Sequence, residues 1–366
     1  MGILEKIQEI EKEISRTQKN KATEFHLGIL KAKLARYRQE LLEIKTGGGG
    51  GAGEGFDVMK SGDARVALIG FPSVGKSTLL NQATQTKSVA AAYEFTTLTC
   101  IPGNLVYEGA TIQLLDLPGI IQGAAQGKGR GKQVISTART SDLILMMIDA
   151  SKSLVQKRLL EEELESMGIR LNKKPPNVYL KKLERGGVSF TATVPQSVLN
   201  EQLVTHILKE YKMHNAEVLV REDVTLDEFI DVVDGNRKYL PCLYAYNKID
   251  QLSMEEIGRL AKLPNSVVVA CEQELNITYL KKRIWRALDM LRVYSKRPRC
   301  FPDLEEPTVL RRGATVEDFC HELHRDLVNN FKFALVWGTS VKHLPQKVGL
   351  SHILEEGDVI QVIKKL

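Results

Sequence analysis

The spacing of apolar positions changes several times along the chain, and each change marks a boundary. Over the first 46 residues the spacing is helical. Ile3, Ile7, Ile10 and Ile14 stand four, three and four apart, and Leu27, Leu30, Leu34, Tyr37 and Leu41 three, four, three and four apart. Both stripes are narrow, suited to a helical hairpin or to packing on a partner. The basic join Arg16-Thr17-Gln18-Lys19-Asn20-Lys21 reads as a solvated turn, with nucleic-acid contact as the alternative. Gly47 to Gly51, then Ala52 and Gly53, hold no regular structure cheaply. They predict a flexible linker that lets the hairpin reorient against the rest of the chain.

From Arg65 short, wholly apolar runs take over: Val66 to Ile69, Ile112 to Leu115, Leu143 to Ile148, Leu243 to Tyr246 and Val267 to Val269. Such runs are strands buried on both faces. Helical stretches between several of them predict a doubly wound parallel sheet of the α/β class. Between Ile169 and Lys238 the rhythm breaks, and the segment reads as a small α/β unit of its own. Beyond Val293, three prolines (Pro298, Pro302, Pro307) lead into a strand at Thr308 to Leu310. A helix at Val316 to Val328 and strands near Ala334 to Trp337 and Val359 to Ile363 complete a β-β-α-β-type module. The expected domains are a helical hairpin (1–46), a linker and lead-in (47–62), an α/β domain in two parts (63–168 and 239–292), an insertion (169–238) and a C-terminal module (293–366).

Composition changes this picture little. Five cysteines lie far apart with no Cys-x-x-Cys pair, which argues against a disulfide framework or zinc site and fits a reducing cytoplasm. Neither a membrane-length apolar run nor a signal-peptide pattern is present, so no membrane role is expected. The net charge of +6 is a mild excess, compatible with RNA contact and with little else specific. It concentrates between Lys281 and Arg299, where eight basic residues face one acid, Asp289. That run reads either as a solvated helix face or as a phosphate-contacting patch.

The chemistry lies in motifs at strand ends. Gly70-Phe71-Pro72-Ser73-Val74-Gly75-Lys76-Ser77 follows the first strand and precedes a helix-compatible run from Thr78. This is the G-x4-G-K-[ST] phosphate loop, whose backbone N–H groups wrap a phosphate. Lys76 would bridge the β- and γ-phosphates, and the Ser77 hydroxyl would ligate Mg²⁺. Asp116-Leu117-Pro118-Gly119 follows the next strand. Asp116 would hold Mg²⁺ through water, and the Gly119 N–H would sense the γ-phosphate. Between these motifs, Thr96 or Thr97 of Tyr93-Glu94-Phe95-Thr96-Thr97 is expected to close over Mg²⁺ and the γ-phosphate. Thr97 is favoured; a β-prone threonine pair is the alternative.

Asn247-Lys248-Ile249-Asp250 follows a third strand. The Asp250 carboxylate would accept the ring N–H and exocyclic amine of guanine, whereas adenine offers an acceptor at the ring position. Asn247 and Lys248 would brace loop and base, with Ala270-Cys271-Glu272 as the second base-side loop. Asp116 and Asn247 are 131 residues apart, which makes 169–238 an insertion within the nucleotide domain. GTP and GDP are therefore the expected ligands. Small signalling G proteins carry a glutamine directly after D-x-x-G to orient water; here that position is Ile120. Intrinsic turnover is therefore expected to be slow, with help from a monovalent cation, another residue or a partner; Gln122 is nearby, but two residues further on it need not point at the γ-phosphate. Gly123 to Gly131, rich in glycine, reads as the second switch.

The phosphate loop with Thr78, Phe95-Thr-Thr-Leu98 and Asp116-Leu-Pro-Gly-Ile-Ile121 resemble the Obg group of GTPases. Arg16 to Thr23, Gly55 to Arg65 and Ala334-Leu-Val-Trp-Gly338 narrow the resemblance to the eukaryotic developmentally regulated GTP-binding proteins, nearer the second paralogue type. It covers essentially the whole chain. The resemblance implies a ribosomal-protein-like insertion and a C-terminal TGS domain of β-grasp type. It also implies work on the ribosome or its RNA in translation, no DNA target, a dedicated stabilising partner protein and stimulation by potassium. Gln122 departs from the family's usual glutamate, and Ala270-Cys271-Glu272 from the common Ser-Ala-Lys loop. A GTP-driven switch on the ribosome is the leading expectation. A low-turnover nucleotide-binding scaffold that recruits partners elsewhere is the alternative.

Overall fold

A computed structural model describes residues 3–18, 20, 23–44, 62–83, 101–117, 137–324 and 326–365. The glycine linker, Thr96 and Thr97, and residues 118–131, with Gly119, Ile120 and Gln122 among them, lie outside the described residues. The chain divides into two compact units. One joins the N-terminal hairpin to 158–240; the other holds the nucleotide motifs and the C-terminal module.

In the second unit the central sheet has the strand order Ser266–Val268, Cys242–Asn247, Leu143–Asp149, Ala64–Ile69, Ala110–Asp116, Ile101–Tyr107. The first five are mutually parallel, and the last returns antiparallel through a tight turn at Glu108 and Gly109. Ala64–Ile69, Leu143–Asp149 and Cys242–Asn247 are buried at every residue, as strands with both faces covered must be. Phosphate-loop and guanine motifs all leave the carboxyl edge of this sheet, where open α/β folds bind ligands. The C-terminal module is a five-stranded sheet with its own core around Phe319, Val336 and Ile360. Its helix runs only Val316–Leu323, opened by a Thr315/Asp318 capping box. His324 is extended, so the helix expected as far as Val328 breaks, and a short one, Asp326–Asn329, comes after it.

In the first unit, helices Ile3–Arg16 and Glu24–Ile44 form the hairpin. The insertion enters and leaves through a parallel pair, Ile169–Leu171 with Lys238–Leu240. Between them lies a three-stranded sheet with Ala216–Val220 central, flanked by Val178–Lys182 and Val188–Ala192. Helices Glu201–Glu210 and Leu226–Asp234 cover one face of it. The hairpin's second helix packs on these two through small residues. Gly28 lies against Leu203 and Leu226, and Ala32 is fully buried in the insertion's core. Lys31 pairs with Asp227 at 2.8 Å, and Arg36 donates to the Glu210 carbonyl at 2.7 Å. The hairpin is thus built into the insertion domain, which corrects the expectation of a hairpin free to reorient against the whole remainder of the chain. Within the insertion, Arg170 grips Asp231 with two hydrogen bonds of 2.6 and 2.7 Å.

Candidate nucleotide-binding site

The phosphate loop joins strand Ala64–Ile69 to helix Lys76–Ala83. Gly75 has φ +95°, and a Cβ there would meet Asn247 Nδ2 at 2.3 Å, so both conformation and space demand glycine. Gly70 is equally confined: its Cβ would strike the Met147 carbonyl at 2.5 Å. Lys76 is buried, and its ammonium donates to the Gly70 and Phe71 carbonyls at 3.0 and 3.1 Å. Burial holds its pKa below the ordinary lysine value, with Asp116 pulling the other way. Asp116 ends its strand beside the loop and accepts the Ser77 hydroxyl at 2.9 Å. Burial raises its pKa against the opposing influence of Ser77 and Lys76. A desolvated ammonium, a hydroxyl and a carboxylate meet at one helix N-terminus, the arrangement that receives an anion and a hard cation together. Pro72 and Ser73 are the loop's exposed residues, Ser73 at φ +62°, while Val74 turns into the core. Thr78 comes next after Ser77 in the helix.

Asn247 fastens the guanine motif to this loop. Its Nδ2 donates to the Val74 carbonyl at 2.8 Å, and its Oδ1 accepts the Cys271 N–H at 2.9 Å. One buried amide thus holds the phosphate loop and the Ala270-Cys271 loop in register. Cys271 acts here through its backbone, so the departure from Ser-Ala-Lys leaves the bond intact; its buried thiol is pushed up to about 11. Lys248 sits at φ +65° and pairs with Asp149 at 3.0 Å. Asp149 is a site residue that the motifs alone do not mark. It ends strand Leu143–Asp149 in register with Asn247, and Gln156 accepts its N–H at 2.9 Å. Burial works against its ionisation, but bonds from Ser151 and Lys248 outweigh that and hold its pKa low. A signal exists in the chain, since Asp149 closes an apolar run just as Asp116 does. Asp250 is exposed in the short turn beyond, open to a ligand.

The remaining predicted site residues, Thr97 and Gly119, lie outside the described residues. The basic run Lys281 to Arg299 is not one helix face. It spans helix Ile277–Ala287, strand Met290–Ser295 and a loop. Within it, Arg292 is occupied by Glu356 and Glu108, and Lys296 by the Cys300 carbonyl.

Comparison with known proteins places the chain in a family. A family model described as "50S ribosome-binding GTPase" matches residues 65–182, and one for the C-terminal region of that domain matches 185–290. A TGS-domain model matches 299–364. The human developmentally-regulated GTP-binding protein 2 is 64% identical over 365 residues, with all of both chains covered. The chain belongs to the developmentally-regulated GTP-binding protein family. An uncharacterized GTP-binding protein of Caenorhabditis elegans is 65% identical over 367 residues, again covering both chains fully. The developmentally-regulated G-protein 2 of Arabidopsis thaliana is 58% identical over all of this chain and 92% of its own. The protein is accordingly a GTP-binding member of this family: a P-loop GTPase domain, in which the sheet and loop described above lie, followed by a TGS domain. No helix among the described residues is long and apolar enough to cross a membrane.

Proposed function

We propose that this protein binds GTP with Mg²⁺ and hydrolyses it slowly, acting in the cytoplasm as an Obg-type, ribosome-associated switch in translation. The observation that carries the reading is the Asn247 bridge, which ties a phosphate-binding loop to a guanine-type motif with bonds of 2.8 and 2.9 Å. Lys76, buried with its ammonium on the Gly70 and Phe71 carbonyls, takes the β- and γ-phosphates. Asp250 accepts the two donors of guanine, and Lys248, braced by Asp149, supports the base. Ser77 and Asp116 are hard oxygen donors side by side, a set that fits Mg²⁺. When bound, the ion neutralises charge on the phosphates. Thr97 and Gly119 close over the γ-phosphate and relax once it leaves.

The position after Gly119 is Ile120, which cannot orient water, so turnover depends on the loop's electrostatics with potassium or a partner. The TGS domain and the exposed members of the basic run, Lys282, Arg286, Arg297 and Arg299, supply contacts to ribosomal RNA. A dedicated regulatory protein stabilises the chain. Multiple-turnover GTP hydrolysis in potassium and in sodium tests the enzymatic part. A rate below about 1 s⁻¹ that rises in potassium is expected; a faster unstimulated rate, equal in both salts, overturns it.

A further inference from the structure

Two acids stand at the base end of the site in different circumstances. Asp149 closes strand Leu143–Asp149 and leads into the turn Ala150–Lys152, while Asp250 lies in the turn Ile249–Gln251 that follows Asn247 and Lys248. The two turns touch. Asp149 is buried, and both of its oxygens are in use. Oδ1 accepts the Ser151 N–H at 3.1 Å and the Ser151 hydroxyl at 2.7 Å, and Oδ2 accepts the Lys248 ammonium at 3.0 Å. Asp250 is exposed and forms no ion pair with a described residue.

Lys248 stands two residues before Asp250, and among the described residues it pairs with Asp149 alone. It precedes the short turn at φ +65°, outside the helical register that keeps residues i and i+2 apart, and its four-carbon stem is flexible. Released from Asp149, the ammonium would have in Asp250 the next carboxylate along the chain. Lys152, in the facing turn, is exposed and ion-paired with neither acid.

Where that ammonium rests bears on base choice. Guanine offers two donors, the ring N–H and the exocyclic amine, and uses both oxygens of a carboxylate. Hypoxanthine lacks the amine and uses one. An ammonium lying on Asp250 takes one oxygen, so guanine must displace it and hypoxanthine need not.

We propose that Asp149 is a positioning residue for base specificity: by holding the Lys248 ammonium it keeps both oxygens of Asp250 open to guanine. The inference deepens the reading of Asp250 as the guanine acceptor and rests on it.

The test is displacement of a fluorescent GDP analogue from the full chain by GDP and by inosine diphosphate. Wild type should prefer GDP by about tenfold or more, the worth of one hydrogen bond to a charged group. Asp149→Asn keeps the size and an acceptor for Ser151 but frees Lys248. The preference should then fall about threefold to fivefold, as much as a partly exposed ion pair can withhold. Lys248→Met alone should weaken both nucleotides and leave the preference in place. Added to Asp149→Asn, it removes the competing ammonium, and the preference should return to within about twofold of wild type. A merely disturbed loop would not be repaired by that second change. Wild-type preference in Asp149→Asn, or a double variant as unselective as Asp149→Asn, overturns the proposal. Asp250→Asn, measured beside them, separates two kinds of failure. If it keeps the GDP preference, the reading of Asp250 fails and this inference with it. If it loses the preference while Asp149→Asn retains it, Asp250 still reads the base and only the role given to Asp149 falls.

Discussion

Replacing Asn247 with alanine removes two buried hydrogen bonds in one step. The residue is 4% exposed, its Nδ2 donates to the Val74 carbonyl at 2.8 Å, and its Oδ1 accepts from Cys271 N–H at 2.9 Å. Neither partner has a second side-chain hydrogen bond among the described residues, so each is left unsatisfied at a cost of about 1–3 kcal/mol. The pair is therefore worth about 2–6 kcal/mol. Part of that loss destabilises the nucleotide-free domain. The rest appears on binding, because a ligand that touches both loops must restore the register that Asn247 maintained. If about 2 kcal/mol falls on binding, GDP affinity drops about thirtyfold. Titration of a fluorescent GDP analogue gives the affinity, and a thermal melt of the free protein gives the remainder. Asn247→Asp sharpens the test, since it keeps an acceptor for Cys271 but sets a carboxylate against the Val74 carbonyl. It should lose at least as much affinity as the alanine variant. GDP binding within about twofold of wild type, with a melting temperature within about 1 °C, would refute the strap.

Three further variants probe other contacts. Lys76→Met removes a buried ammonium whose pKa is lowered chiefly by burial; the free protein should melt no lower than wild type does at neutral pH. It should lose the roughly 2.7 kcal/mol that wild type gains at a hundredfold excess of GDP over Kd. A lysine depressed below 10.5 in the fold costs stability at neutral pH, and that cost is relieved as pH rises through the folded pKa toward 10.5, so the free wild type gains on Lys76→Met under alkaline conditions. Asp231→Ala strips the carboxylate from Arg170 and from Arg237, 3.1 Å away, and should cost about 3–5 kcal/mol. Hydrogen exchange would register it as lost amide protection in helix Leu226–Asp234; unchanged protection would contradict the pairing. Asp250→Asn exchanges an acceptor for a donor and should weaken GDP about tenfold to hundredfold while favouring xanthosine diphosphate, whose base carries a carbonyl in place of the amine. Undiminished preference for GDP would remove Asp250 from base recognition.

The parallel sheet was legible because its strands are short, mostly apolar and followed at once by motif residues, so period and punctuation coincide at Gly70, Asp116 and Asn247. The phosphate loop was legible for the same reason. Contacts between distant segments were not. The hairpin's long stripe of Leu27, Leu30 and Leu34 drew attention to one face of its second helix. The face that meets the insertion is marked by Gly28, Ala32 and Ala35, whose small size is what permits close approach. Small residues carry no periodic hydrophobic signal, and their partners Leu203 and Leu226 lie far along the chain. The basic run from Lys281 was legible as charge but not as shape. Charge counted along the sequence ignored the strand that begins at Met290 and the acids, Glu108 and Glu356, that fold back onto Arg292. Asp149 closes an apolar run as Asp116 does, but its role depends on Lys248, 99 residues away, which register between neighbouring strands brings beside it.

Co-sedimentation of the full chain with purified ribosomes, compared between a non-hydrolysable GTP analogue and GDP, tests the proposed switch most directly. The analogue-bound protein should travel with ribosomes, and the GDP-bound protein should largely stay in the supernatant. Lys76→Met should sediment equally in both conditions. Equal sedimentation of the wild type with either nucleotide, or none with both, would contradict the switch.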